Sequence, residues 1–305
     1  MEPTLLILAA GLGSRYGGLK QLDGFGPSGE TIMDYSIHDA LSAGFTRVVF
    51  VIRRDFESTF RASVGSKYER WLSVDYVFQE LDELPGGVTV PSGRTKPWGT
   101  THAIWCARHT VKGPFVSINA DDYYGRHSFT TVAQHLRHDR TDPLPDYCVV
   151  GYPLMQTLSD HGTVARAICE VDENGKLKAL VERLRIERCG DSVQYLDESG
   201  HTHLLKGDEV VSMNMVGFTP AVFSQVERQL VRFLTHPSPT PDGSELPIPV
   251  AINEILKEKA AIMRVLPTTD TWFGVTHAKD KPAAMTAIRE MVKRGDYPSP
   301  IWGER

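Results

Sequence analysis

Residues Leu5 to Asp23 read LLILAAGLGSRYGGLKQLD. The first six, Leu5 to Ala10, are apolar without interruption, the pattern of a strand buried on both faces, and they run directly into glycines at 11, 13, 17 and 18. Glycine lets the backbone take positive φ and come close to a bulky anion, so successive N–H groups can point at phosphate oxygens. Arg15 and Lys20 add two cations to the same loop. The stretch is a candidate triphosphate cradle. A Walker A loop needs G-x-x-x-x-G-K-[ST], but Gly13 is followed by Ser-Arg-Tyr-Gly. A dinucleotide loop needs a third glycine where Tyr16 stands. The bland alternative is a glycine-rich βα turn that carries cations by accident.

Working outward, Glu30-Thr31 opens a helical stretch in which Ile32, Ser36, Ala40 and Ala43 share a face, and Gly44 is placed to end it. Val48 to Ile52 is a second buried strand, so the chain begins as a parallel βαβ unit. Val74 to Gln79 alternates like a strand and feeds a long polar loop, Glu80 to Lys96, which is either disordered or functional. In PWGTTHAI, residues 97–104, Gly99 and a Thr N-cap start a helix whose N-terminus can face an anion or a base. Phe115 to Asn119 is the next central strand, ending in Ala120-Asp121-Asp122. Two carboxylates at the exit of a buried strand are costly unless paired, and strand ends are where α/β sheets hold ligands.

Tyr147 to Gly151 continues the strand series. Thr163 to Val171 and Leu177 to Glu182, with Glu173-Asn174-Gly175 between them, then read as a hairpin. Asp191 to Gly200 reads as a surface hairpin loop, Val210 to Phe218 as a strand returning to the main sheet, and Pro220 to Leu234 as an amphipathic helix. Thr235 to Pro249, with its prolines, reads as a linker or surface arm; Ala251 to Lys259 and Lys281 to Arg294 read as helices around a short strand, Ile262 to Leu266. The segment Tyr297 to Trp302 carries no functional signal.

The expected fold is α/β: a Rossmann-like three-layer arrangement with a mixed, mostly parallel sheet and an inserted antiparallel acceptor-binding subdomain. One domain over 1–305 divides into a nucleotide half (1–150), an acceptor subdomain (151–220) and completing helices (221–305). A net charge of −5 and a pI near 6.1 argue against nucleic acid as partner. No run is long enough to span a bilayer, and no signal-peptide layout opens the chain. The four cysteines, 106, 148, 169 and 189, form no C-x-x-C pair and read as reduced thiols, which suits a cytoplasmic protein. Homo-oligomerisation is left open.

LILAAGLGSRYGGLKQL, PWGTTHAI and INADDYYG together resemble, in order and spacing, the opening, second nucleotide-binding and metal-binding stretches of the nucleotidyltransferase superfamily, sugar-1-phosphate nucleotidyltransferase type. The resemblance covers roughly the first half of the chain. It implies in-line attack of a sugar 1-phosphate on the α-phosphorus of an NTP, releasing pyrophosphate, with Mg²⁺ as cofactor. Ala9, Ala10, Gly11, Leu12, Gly13 and Ser14 would hold the triphosphate, Arg15 the leaving pyrophosphate and Lys20 the reacting or acceptor phosphate. Gln79, Pro97, Gly99 and Thr100 would border the base, with Gln79 favouring UTP or dTTP. Asp121 is the implied metal carboxylate. Relatives place a second aspartate where this chain has Gly274, so Asp280 or Asp270 would replace it, or Asp121 would act alone. For the acceptor the resemblance implies Gly162, the pair Glu182 and Arg183 in place of a Glu-Lys pair, and Asn214. Arg94 and Lys96 are candidate lid cations, and His102, His161 and His277 have no metal-ligand spacing. The alternatives are a cytidylyl- or guanylyltransferase acting on a non-hexose phosphate, or a nucleotide-binding regulator without turnover.

Overall fold

The computed structural model describes residues 2–11, 23–138, 143–190, 192–197, 199–236, 243–275 and 278–303. Leu12, Gly13, Ser14, Arg15 and Lys20 lie outside the described residues, as do Thr276 and His277. In chain order the elements are β1 (Thr4–Leu8), α1 (Ile32–Ser42), β2 (Arg47–Ile52), α2 (Glu57–Ser63), β3 (Ser73–Phe78), α3 (Thr100–Cys106), β4 (Phe115–Asn119) and β5 (Asp122–Tyr123). There follow α4 (Arg126–Arg137), β6 (Asp146–Pro153), β7 (Val164–Val171), β8 (Leu177–Cys189), β9 (Ser192–Leu196), β10 (Thr202–Leu205) and β11 (Val210–Phe218). The chain closes with α5 (Val222–Leu234), α6 (Ile248–Lys257), β12 (Ile262–Pro267), β13 (Phe273–Gly274) and α7 (Lys281–Arg294).

β4, β1, β2 and β3 pair side by side in parallel, so their C-terminal ends share one edge. β1 is buried on both faces: Leu5 and Ile7 pack with α1, α2 and α4, while Leu6 packs with α3, α5 and α6 on the other side. These two layers and the sheet are the expected three-layer α/β architecture. β11 joins the halves. Its C-terminal part, Val216 to Phe218, pairs antiparallel with β4, and its start, Val211 and Ser212, pairs with β7. β7 to β10 extend the same sheet as an antiparallel series, and β6, paired with β11, carries β12 in parallel.

Several local expectations change. Asp191 to Gly200 is not all loop, because β9 pairs with both β8 and β10. β8 outruns its predicted end: Arg185 takes φ 52 at a bulge in the β7 pairing, which resumes at Ile186 opposite Val164, and from Ile186 onward the strand runs against β9. The end of the supposed arm is core, since Leu246 and Ile248 are buried against α3 and α5. Prolines marked a break there without marking exposure.

The last residues anchor the fold. Asp34 closes the capping box of α1 with Thr31, and its buried carboxylate also accepts from Tyr68 Oη at 2.9 Å and Trp302 Nε1 at 2.6 Å. Tyr297 donates to the buried Asp39 of the same helix and meets Tyr123 Oη at 2.7 Å. One helix thus orders a segment that is more than 260 positions away for Trp302.

Candidate active site

The parallel register assembles the site. Leu8 lies opposite Asn119, and Ala120 N donates to Leu8 O at 3.2 Å, so the chain leaves β1 through Ala9, Ala10 and Gly11 beside Asp121. Ala9 and Ala10 are buried, Ala9 N donating to Val51 O at 2.8 Å. One strand further out, Ile52 lies opposite Phe78, and Gln79 N donates to Ile52 O. Gly11, Asp121 and Gln79 therefore stand on the C-terminal edge of one sheet, where backbone groups run out of ladder partners.

Gln79 is buried and oriented by a chain of hydrogen bonds whose directions follow from its two ends. Its Nε2 lies 3.0 Å from the Gly99 carbonyl, which can only accept. At the other end His102 Nε2 lies 2.6 Å from the Glu83 carbonyl, so Nε2 carries the proton and Nδ1 is the acceptor. Nδ1 then takes the second Gln79 N–H at 3.3 Å. Both amide protons are used inward. The Gln79 carbonyl oxygen has no partner among the described residues and is the group left for a ligand. Burial lowers the His102 pKa, against the Glu83 hydrogen bond that raises it, which keeps the imidazole neutral in this role.

Gly99 sits at φ 94, and a Cβ there would stand 2.7 to 2.9 Å from three backbone atoms of Leu246. The close approach is used: Leu246 N donates to Trp98 O, and Thr101 N donates to Leu246 O. Thr100 does not cap α3 through its side chain; its hydroxyl accepts from Ile248 N at 2.8 Å. With Gly99 as N-cap and the Thr101 N–H engaged, the start of α3 is a packed junction instead of an open anion site. Pro97 belongs to the same junction, its carbonyl accepting from Arg94. Arg94 is accordingly no solvated lid cation: it is buried, stacks over Trp98 and donates to the carbonyls of Lys96, Pro97 and Ser244. Lys96 is exposed, 3.8 Å from Glu245.

Asp121 is half-buried at the end of β4. Asp122 pairs with Gly274 in the two-stranded β5–β13 ladder. Its Oδ2 accepts from Asn119 Nδ2 at 2.9 Å and from Tyr124 Oη at 3.3 Å. A Cβ on Gly274 would overlap Asp122 Oδ1 and stand 2.8 Å from Trp272 Cζ2. The carboxylate of Asp122 thus fills the space toward which a side chain at 274 would point, and glycine is what admits it. Asp270 is committed elsewhere, accepting from Ser128 N at 2.8 Å at the start of α4. Asp280 accepts from Ser159 Oγ at 2.9 Å.

The acceptor candidates are less tightly gathered. Gly162 is exposed in the loop before β7, and Asn214 takes φ 64 where β11 changes partners between Ser212 and Val216. Glu182 lies opposite Ala167 and Arg183 opposite Arg166, so the two side chains leave opposite faces of β8. Arg183 lies over the Tyr195 ring at 4.9 Å, on the face it shares with Arg166. Sequence reading assigned His102 no chemistry and passed over Arg166. His102 sits three positions after Gly99 inside PWGTTHAI, a spacing that puts it on the next turn of the helix, whereas a lone Arg in a strand carries no such mark.

No family model matches the chain, and no curated protein sequence matches it significantly. Solved structures do share this mixed α/β fold. HddC from Yersinia pseudotuberculosis is similar over 95% of this chain and 100% of that one, with TM-score 0.55 at 14% identity. A "Putative Glucose-1-Phosphate Thymidylyltransferase" from Bacillus anthracis, solved in complex with a sucrose, is similar over 94% of this chain and 95% of that one, with TM-score 0.57 at 13% identity. No described helix is long and apolar enough to cross a membrane.

Proposed function

We propose that the protein transfers a nucleotidyl group from an NTP to a sugar 1-phosphate, giving an NDP-sugar and pyrophosphate. The observation that supports this reading is the shared strand edge, on which the start of the glycine loop, Gln79 with Gly99, and Asp121 stand together. The shared fold with a protein named as a thymidylyltransferase supports the same reaction class.

The reaction needs aligned phosphates and neutralised charge more than covalent help. The glycine-loop backbone would cradle the triphosphate, with Arg15 at the leaving pyrophosphate and Lys20 at the acceptor phosphate. Gln79 would accept from a base N–H through Oε1 while Gly99 N–H donates to a neighbouring carbonyl. A ring N–H beside C=O is the edge of uracil and thymine, which supports UTP or dTTP; guanine has a related N1–H and O6 edge, so GTP is the informative control. The carboxylates fit Mg²⁺ as hard oxygen donors: Asp121 at the strand end, with Asp122 taking the place of the aspartate relatives carry at position 274. Bound there, the ion would supply charge neutralisation on the triphosphate. Asp280, already engaged by Ser159, is the alternative candidate. Gly162, Glu182, Arg183 and Asn214 would meet the acceptor, with Arg183 on the face that also carries Arg166.

Pyrophosphate release tests the proposal, with each NTP, Mg²⁺ and a panel of sugar 1-phosphates. Turnover with a uridine or thymidine triphosphate is expected, and Asp121→Asn should lower it by about a hundredfold or more. Tight nucleotide binding without turnover on any pair would favour the regulator and remove the enzyme reading.

A further inference from the structure

A glutamine amide can turn its oxygen or its nitrogen outward, and the two ends select opposite partners. Among the described residues, two groups decide which end of Gln79 faces out. Gly99 O lies 3.0 Å from Nε2 and can only accept, and His102 Nδ1 lies 3.3 Å from the same nitrogen. His102 is fully buried on α3, its ring stacked on Trp105 at 5.9 Å. Its other nitrogen stands 2.6 Å from Glu83 O, nearer than its 3.6 Å approach to Cys106 Sγ, so Nε2 holds the proton for the carbonyl and Nδ1 is left as a lone pair. Glu83 is held in turn by Arg108, which donates to its carboxylate at 2.7 Å while lying over the Trp105 ring. The orientation of Gln79 is thus set by a ring with no exposed surface of its own. Gln79 Oε1 accepts no hydrogen bond from the described residues, yet it is not one of the sealed polar atoms left without a partner, so it keeps open surface for a ligand.

An outward carbonyl selects a ring N–H. Uracil and thymine carry N3–H and guanine carries N1–H, whereas cytosine N3 and adenine N1 are lone pairs that would face the lone pairs of Oε1. A site built for one hydrogen-bonding pattern rejects an analogue that lacks it more strongly than a pocket rejects a change of size. Turning the amide would reverse the selection, but it would set Oε1 against Gly99 O and against the His102 Nδ1 lone pair at once. With an apolar side chain at 102 the second repulsion disappears, and one inward N–H loses its acceptor. The gap between the two orientations then narrows. Gly99 O still holds one proton, so selectivity should weaken and not invert.

We propose that His102 is the positioning residue for base selection: it holds the Gln79 carbonyl outward, so that triphosphates of bases with a ring N–H are admitted and those of cytosine and adenine are refused. The proposal rests on the nucleotidyl-transfer reading for the ligand that Gln79 meets. Its test is calorimetry on the full chain with Mg²⁺ and UTP, dTTP, GTP, CTP or ATP, which reads base preference without turnover. The parent should bind UTP or dTTP about tenfold or more tighter than CTP. His102→Leu fills similar space without the acceptor, and should lower that ratio about tenfold by weakening UTP and dTTP. His102→Asn, whose Oδ1 can stand where Nδ1 stands, should keep the ratio within about threefold of the parent. A merely structural His102 would weaken all five nucleotides alike and leave the ratio unmoved. In the parent itself, long-range proton–nitrogen NMR should find the His102 proton on Nε2, a readout that needs no variant to fold. A parent that prefers CTP, a ratio unchanged in His102→Leu, a ratio lost equally in His102→Leu and His102→Asn, or a proton on Nδ1 would each overturn the proposal while leaving the transfer reading standing. Binding of none of the five would instead overturn the transfer reading, and the base site with it.

Discussion

Replacing Gly274 with alanine asks directly whether Asp122 occupies the space above that residue. The new Cβ would overlap Asp122 Oδ1 and press on Trp272 Cζ2 at 2.8 Å. Asp122 cannot simply rotate away, since its Oδ2 is held by Asn119 and Tyr124. Hydrogen bonds to a carboxylate are worth about 1.5–3 kcal/mol each, and pressure on a buried ring adds about 1 kcal/mol. Losing one of the two bonds gives an expected destabilisation of about 2–4 kcal/mol. In an Asp122→Ala background the oxygen is gone and only the Trp272 contact remains, so the same substitution should cost about 1 kcal/mol. Urea unfolding of the four proteins closes the cycle, with a coupling of about 2 kcal/mol between sites in direct contact. A cost for Gly274→Ala below about 1 kcal/mol in the parent, or costs that add within about 0.5 kcal/mol, would refute the arrangement and with it the substitution of Asp122 for a carboxylate at 274.

Two further outcomes follow from the Gln79–Gly99 end of the shared strand edge. Gly99→Ala places a side chain in a backbone region that only glycine tolerates, and against Leu246 backbone that cannot rotate aside; unfolding should show a loss of at least about 3 kcal/mol, and a loss under 1 kcal/mol would discount the junction. His102 is held neutral in the folded protein with its pKa lowered, while the unfolded chain takes up a proton below about pH 6.5. The unfolded state therefore binds more protons as pH falls, and stability drops from about pH 6.5 down to the lowered folded pKa, by at most about 1.4 kcal/mol per pH unit. Chemical unfolding between pH 7.5 and 5.5 should show this slope in the parent and less of it in His102→Gln; equal slopes would place His102 outside the Gln79 network. The pyrophosphate assay on Asp121→Asn completes the set.

Much of the sheet was legible because burial on both faces writes itself as uninterrupted apolar runs. Leu5 to Ala10, Val48 to Ile52 and Phe115 to Asn119 read as central strands, and they are adjacent in the parallel sheet. The 243–249 segment misled, since proline and polarity report local backbone freedom and not the neighbours that bury Leu246 and Ile248. Arg94 misled in the same way: a charge in a loop looks solvated until the carbonyls that surround it are known. Gln79 was identifiable as a strand-end amide, but its orientation was not, because that depends on Glu83 and His102.

The sequence by itself determined the opening parallel βαβ unit, the candidate glycine cradle and the candidacy of Gly99 and Asp121, because each rests on residue type and local spacing, while Gln79 became a candidate through the family resemblance. Only the tertiary structure decided that Gly274 lies under Asp122 and that both protons of Gln79 turn inward. Those relations join positions about 20 to 150 residues apart. They follow from sheet register and packing, which no local stretch of chain encodes alone.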